Sequence, residues 1–415
     1  MARIVQKFGG TSIANLDLIK KVARIAVASA QEGHEVTTVV SAMGRTTDEL
    51  IGVARQISRS PNPRELDMLL TTGEQQSVAL MSMAIQELGW PARSFTGGQA
   101  GILTESRHGT ANIKQVNPEA IEASLNRGEI AVVAGFQGIT PGQELTTLGR
   151  GGSDTTAVAL ANALEAERCD IYTDVRGVYT ADPRILGEAR RLPCLSYEEM
   201  LELAATGAKV MNHRSVELAM EKEMPVRIRS TFEPDDHGTL VTHRSASPEY
   251  AICGITIDTN QVSFSVKFPP AEDGHKPLES VSSLFTRLTE LHIPTDMIML
   301  LAREDEPLQE LAFTVDHGYS SRVQAMIETI WQKPKGVLLT TDSTLTRLSI
   351  VGRTFTTRPE MVAGVFDALH NAAIPVQMVA TGDLRMSVLL PTQHAHQAVK
   401  LIHERFDMDK ELRVA

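Results

Sequence analysis

The segment "KFGGTS" (7–12) sets a lysine directly before a glycine pair and two hydroxyl residues. There the apolar run Ile4-Val5-Gln6-Lys7-Phe8 gives way to a helix-like stretch, 16–22. Glycines let backbone N–H groups come close to a ligand, and N–H groups at a helix start hold anions. Lys7 precedes Gly9 and Gly10, so this is not the Walker A loop, whose lysine follows its glycines. The same residues also suit a plain strand-to-helix turn with Thr11 or Ser12 as the cap. A second junction, "GRGGSDTTA" (149–157), places Arg150 before Gly151-Gly152, then Ser153 and Asp154 at the start of an alanine-rich helix. As a bare N-cap, Asp154 contributes about 1 kcal/mol. Two glycine-pair junctions, each with its own cation, point instead to a site for anionic groups. Downstream, "YTDVRGVYTADPR" (172–184) supplies Thr173, Asp174, Tyr179, Asp182 and Arg184, and "GAKV" (207–210) supplies Lys209. Glu74 in "TTGE" (71–74) is either a solvated helix-start acid or part of the site.

The elements that must position these groups alternate. Up to about residue 240, apolar strands at 35–41, 91–97, 129–136, 169–175 and 224–230 are separated by helices at 65–88, 153–166 and 196–205. Strands alternating with helices predict an α/β domain with a mainly parallel sheet covered on both faces. Ligands bind such sheets at the carboxyl ends of the strands. Gly9-Gly10, Ser41, Gly97-Gly98, Gly135 and Thr173-Asp174 fall at those ends.

Beyond 234–250, which reads as a linker, the texture changes. "VSSLFTRLTELHIPTDMI" (281–298) and "VAGVFDALHNAAIPVQMV" (362–379) share apolar positions, an Ile-Pro pair and a following strand, and each is preceded by an alternating strand. A repeated strand-helix-strand unit predicts two small ferredoxin-like modules. The expected boundaries are 1–245 for the first domain, 246–335 for the first module and 336–415 for the second.

With 415 residues, the chain exceeds what one core usually serves. A net charge of -11 argues against nucleic-acid or anionic-membrane partners, and no apolar run approaches a membrane span. The three cysteines are too few and too scattered for a disulfide framework or a metal cluster. No metal-ligand set is expected, and the chain reads as cytoplasmic.

Taken in order, "KFGGTS", "VVSAMGRTTDEL" (39–50), "LLTTGEQQS" (69–77), "GRGGSDTTA" and "TDVRGVYTADPR", followed by two modules of ACT type, resemble the aspartate kinases of the amino-acid kinase family. The resemblance covers essentially the whole chain. It implies an αβα sandwich followed by two ACT domains, and transfer of the γ-phosphoryl of ATP, with Mg²⁺, to the β-carboxylate of L-aspartate. The product would be 4-phospho-L-aspartate, toward lysine, threonine and methionine. A carboxylate is ionised at neutral pH, so no general base is required; the obstacle is repulsion between anions. By resemblance, Lys7 and the Gly9-Gly10 amides hold the β- and γ-phosphates and Asp154 orients Lys7. Ser41 and Thr47 contact aspartate, Glu74 takes its ammonium, and Arg150 with Ser153 takes its α-carboxylate. Thr173, Asp174, Tyr179, Asp182, Arg184 and Lys209 line the nucleotide site. ACT modules imply a homo-oligomer. Two departures stand out. "MNHRSVE" (211–217) replaces a usual His-Pro pair, and Leu278 and Glu360 stand where effector-binding ACT loops carry glycine. The first leaves Lys209 and Arg214 in place, so activity is expected to remain; the second, through backbone strain at φ > 0 and the charge of Glu360, implies weak or no inhibition by lysine and threonine, with Asp296 as a remaining effector contact.

Overall fold

The computed structural model describes residues 2–208, 210–243, 252–268, 277–301, 309–331, 337–353 and 355–410. The chain divides into two compact units, Met1–Tyr179 with Arg191–Pro248 and Thr180–Arg190 with Glu249–Ala415.

In chain order the first unit contains β1 (Arg3–Phe8), α1 (Leu16–Gln31), β2 (Glu35–Val40), α2 (Thr46–Ile57), α3 (Pro63–Glu87), β3 (Ala92–Phe95), β4 (Ile102–Thr104), β5 (Ile113–Val116), α4 (Glu119–Leu125), β6 (Ile130–Ala134), β7 (Gln137–Ile139), β8 (Leu145–Thr147), α5 (Gly152–Ala163), β9 (Arg168–Thr173), β10 (Cys194–Ser196), α6 (Tyr197–Thr206), α7 (His213–Glu221), β11 (Val226–Ser230) and β12 (Thr239–Thr242). Eight strands form one sheet in the order β10-β12-β11-β9-β1-β2-β6-β3, parallel throughout except between β11 and β12.

Strand alternation explains both faces. Ile4, Phe8, Val36, Val40, Ile130 and Val132 join a core with Ile19, Val22 and Ala26 of α1 and Val78, Met81 and Ile85 of α3. The intervening Val5, Val39, Ala131 and Val133 are equally buried. They turn to the opposite face, where α5 packs on β1, β2 and β9. Each such Val or Ile contributes about 1.5–3 kcal/mol on burial. Lys7 has the parity of Val5, so strand geometry alone sends it to the α5 face.

Two expectations are corrected. The stretch 234–250 is not wholly a linker, because β12 lies within it and completes the main sheet between β10 and β11. The first helix is capped by Asn15, whose side chain accepts from the Leu18 N–H at 2.9 Å, and not by Thr11 or Ser12. Gly10–Ile13 forms a single 3₁₀ turn before it. A second sheet, β5-β4-β7-β8, has no counterpart in the sequence reading.

The second unit contains β13 (Ile252–Asp258), β14 (Gln261–Phe268), α8 (Pro277–Glu290), β15 (Asp296–Leu301), β16 (Gln309–Asp316), α9 (Ser320–Ile330), β17 (Leu338–Asp342), β18 (Leu345–Gly352), α10 (Pro359–Asn371), β19 (Met378–Thr381), β20 (Arg385–Pro391) and α11 (Ala395–Arg405). Two antiparallel sheets result, β15-β16-β14-β17 and β13-β18-β20-β19. The repeated positions are equivalent in burial: Leu288, Ile293 and Met297 in one module, Leu369, Ile374 and Met378 in the other. The modules are interleaved rather than contiguous at 246–335 and 336–415. β13 pairs with β18 of the later sheet, and β17 pairs with β14 of the earlier one. Thr180–Arg190 is built into this unit. Ala181 and Leu186 join the core of Ile255, Leu348, Val388 and Ile402, and Thr180 Oγ1 lies 2.9 Å from His403 Nε2.

Candidate active site

β1 delivers Lys7 to the α5 face, and the first turn of α5 delivers Asp154 to meet it. Lys7 Nζ lies 2.5 Å from Asp154 Oδ1, with both side chains about one-tenth exposed. The sheet register sets what surrounds this pair. Val39 and Ile171 stand beside Lys7, and Val39 in turn pairs with Val133. Two residues beyond these three lie Ser41, Gly135 and Thr173, so the strand-end residues form one row. The row is tied by backbone bonds: Ser41 N–H donates to the Phe8 carbonyl (3.2 Å), Gly135 N–H to the Val40 carbonyl (3.0 Å) and Gly44 N–H to the Gly10 carbonyl (3.0 Å). Gly10 is required for that closeness, since a Cβ there would stand 3.0 Å from the Ala42 carbonyl oxygen and 3.1 Å from that of Gly44. Gly9 precedes the 3₁₀ turn in extended conformation.

Glu74, in α3, approaches the same strand end and is 2% exposed. Its Oε1 accepts the Ala42 N–H at 3.0 Å. Its Oε2 is buried with no hydrogen-bond partner among the described residues. Burial raises its carboxyl to about 7, although hydrogen bonds from the Glu74 and Ala42 backbone N–H groups oppose the rise. A buried acid with one bare oxygen suits a cationic ligand group. Thr47 sits in the first turn of α2 and is half-buried.

Arg150 is exposed, between Gly149 and Gly151, both left-handed at φ 76° and 72°. Gly151 admits no side chain, because a Cβ would lie 2.2 Å from that of Asn212. Ser153 is buried at the start of α5. Thr173 Oγ1 donates to Asp174 Oδ1 at 3.1 Å, and Tyr179 forms an isolated bridge with Arg191.

The structure thus brings together Lys7, Gly9, Gly10, Ser41, Glu74, Ser153 and Asp154, with Thr173 in the same strand-end row. Asp182 and Arg184 instead belong to the second unit and bind each other, Nη2 to Oδ2 at 2.7 Å. The Arg184 guanidinium holds the Asp182 carboxyl below its ordinary range. Lys209 lies outside the described residues.

In the second unit, Asp296 is already engaged. It pairs with Arg347, lies 3.5 Å from Arg385, and its Oδ1 accepts the Met297 N–H at 2.8 Å. Glu360 lies in the first helical turn of α10 behind Pro359, so the position asks for no left-handed backbone. Leu278 likewise falls inside α8. The strain expected from these two replacements therefore does not arise.

Sequence reasoning missed Asp67, Asn212 and the bracing role of Arg214. Asp67 is 1% exposed and accepts from Thr147 Oγ1 (2.6 Å) and from the Gly109 N–H (3.1 and 3.0 Å to its two oxygens). The available signal was an acid on the apolar side of α3, seven residues before Glu74.

Residues 2–230 match the amino acid kinase family, and residues 348–406 match the ACT domain. The chain is 41% identical to an aspartokinase of Thermus thermophilus over 99% of its own length and 100% of the relative's. It is 42% identical to aspartokinase 2 of Bacillus subtilis, covering 99% of each. Its fold is similar to the crystal structure of an aspartate kinase from Synechocystis, with a TM-score of 0.80 at 28% identity and 99% coverage of both chains.

Proposed function

We propose, from the premise that this chain belongs to the amino acid kinase family and is an aspartate kinase, that its first unit transfers the γ-phosphoryl group of ATP to the β-carboxylate of L-aspartate. The observation that carries this is the Lys7–Asp154 pair at the carboxyl end of the central strand, beside a glycine turn. An oxygen of the acceptor carboxylate forms the new bond to phosphorus, the bond between phosphorus and the bridging β,γ-oxygen breaks, and ADP leaves. The product is 4-phospho-L-aspartate, and no proton is moved. Lys7 carries the positive charge that this meeting of anions needs, and Asp154 keeps the ammonium aimed. Gly9 and Gly10 allow the phosphates close to the backbone.

Glu74 receives the substrate ammonium, which restores its ionised form. Arg150 and Ser153 take the α-carboxylate, and Ser41 and Thr47 orient the acceptor. Thr173, Asp174 and Tyr179 line the nucleotide in the first unit; Asp182, Arg184 and Lys209 keep the nucleotide-binding roles that the resemblance implies. Mg²⁺ bound with ATP would neutralise phosphate charge. Such an ion needs only one or two protein carboxylates besides phosphate and water, and Asp154 would be the acid to hold it.

The ACT modules bring copies of the chain together. Ile298, Leu300 and Leu301 on the edge strand β15 are exposed, which supports that association. The reaction serves synthesis of lysine, threonine and methionine, with weak feedback by lysine and threonine. The test is turnover of ATP with aspartate, glutamate or acetylglutamate offered separately, trapping the acyl phosphate with hydroxylamine. Hydroxamate should form with aspartate. Its absence there, or a faster yield with another acceptor, would overturn the assignment.

A further inference from the structure

We propose that Arg214 is a positioning residue that sets the Arg150 loop for the acceptor's α-carboxylate, an inference that rests on the acceptor site proposed above. Two flanking left-handed glycines leave the loop without a conformation of its own. Its shape is fixed from outside. Arg214 donates through Nη1 to the Leu148 carbonyl (2.8 Å) and through Nη2 to the Ala111 carbonyl (3.3 Å) and Asn112 Oδ1. Asn212 Nδ2 donates to the Arg150 carbonyl at 3.0 Å, while Asn212 Oδ1 accepts from the Arg214 N–H at 3.0 Å.

From the other side, buried Asp67 joins the same two segments. It accepts from Thr147 at the end of β8 and from Gly109, and its Oδ2 lies 2.9 Å from His108 Nδ1. The Ala111 N–H donates to the Thr147 carbonyl at 2.9 Å. Residues 108–112 therefore form a splint along 147–150, stapled at one end by a carboxylate and at the other by a guanidinium. This accounts for the departure at 211–217, because Asn212 both caps α7 and grips the loop.

Only a planar fork reaches acceptors on both segments at once, so lysine is a poor replacement for Arg214. The experiment is steady-state kinetics of Arg214→Ala, Arg214→Lys, Asn212→Ala, Arg150→Ala and the Arg150→Ala/Arg214→Ala double variant, with thermal unfolding of each. Both Arg214 variants should raise the aspartate KM by about 10- to 100-fold, while the ATP KM moves less than about twofold. Because Arg214 acts through Arg150, the double variant should match Arg150→Ala within about twofold. Wild-type aspartate KM in Arg214→Lys, or a double variant whose loss equals the product of the two single losses, would overturn the proposal. If Arg214→Ala does not fold, Arg214→Lys and Asn212→Ala carry the same comparison. A normal aspartate KM in Arg150→Ala would overturn both the proposal and the Arg150 assignment. Absence of aspartate turnover in the wild type would overturn the acceptor assignment itself.

Discussion

Replacing Glu74 with glutamine should make the protein relatively more stable as the pH rises, while damaging aspartate binding. Glu74 titrates at about 7 in the fold because it is buried, against an ordinary 4.5 in an unfolded chain. Between these values the folded protein binds the proton more tightly, so this group's stabilising contribution is complete below pH 4.5 and lost as pH rises through 7. With 1.36 kcal/mol for each pH unit of difference, the wild type loses about 2–3 kcal/mol between pH 5 and pH 8 from this residue alone. Glutamine does not titrate and can still accept the Ala42 N–H. Urea unfolding of both proteins at several pH values measures the gap directly, and it should widen in favour of Glu74→Gln by that amount. Aspartate should restore the lost stability to the wild type at pH 8 and much less to the variant, whose aspartate KM should rise by about tenfold or more. A stability gap that stays flat from pH 5 to pH 8 would refute the burial argument.

Lys7→Ala should lower kcat by about 10²–10³ in a protein that still folds, though less stably because Asp154 loses its buried partner, and near-normal turnover would remove Lys7 from the chemistry. Gly151→Ala, forced to φ 72° against Asn212, should destabilise by about 1–3 kcal/mol and raise the aspartate KM; unchanged unfolding and kinetics would mean that the loop relaxes freely. Lysine and threonine, singly or together, should inhibit aspartate-dependent turnover weakly or not at all, since Glu360 puts a negative charge in the first turn of α10 and Asp296 is held by arginines. Half-inhibition in the sub-millimolar range would contradict this.

The main sheet was legible because its strands are continuous apolar runs, such as those around Val39 and Val133, which only a doubly covered parallel sheet buries. The meeting of Lys7 with Asp154 was expected from the resemblance, whereas the two glycine pairs by themselves pointed only to a site for anionic groups. The β5-β4-β7-β8 sheet was not legible, since strands of three or four residues such as Ile102–Thr104 show no measurable period. The exchange of β13 and β17 between the two modules was hidden for another reason. Strand pairing is a long-range choice, and Ile252–Asp258 reads the same beside either sheet. Asp67 escaped because a buried acid and an exposed one look identical until their donors, here Thr147 and Gly109, are brought in from distant segments. Asp182 and Arg184 were assigned to the nucleotide site with Thr173 by resemblance; Ala181 and Leu186 anchor their segment in the second unit's core, a placement that sequence alone did not show.

In the proposed reaction Lys7, Asp154 and Glu74 direct phosphoryl transfer to the side-chain carboxylate of aspartate. Borohydride reduction of the acyl phosphate formed from ATP and L-aspartate distinguishes the two acceptors, because the reduced carbon reports which carboxylate was phosphorylated. Homoserine is the predicted product, formed by the wild type and strongly reduced in Lys7→Ala. Recovery of 3-amino-4-hydroxybutanoate would place the phosphoryl group on the α-carboxylate, and recovery of no amino alcohol at all would mean that no acyl phosphate of aspartate forms; either rules this reaction out.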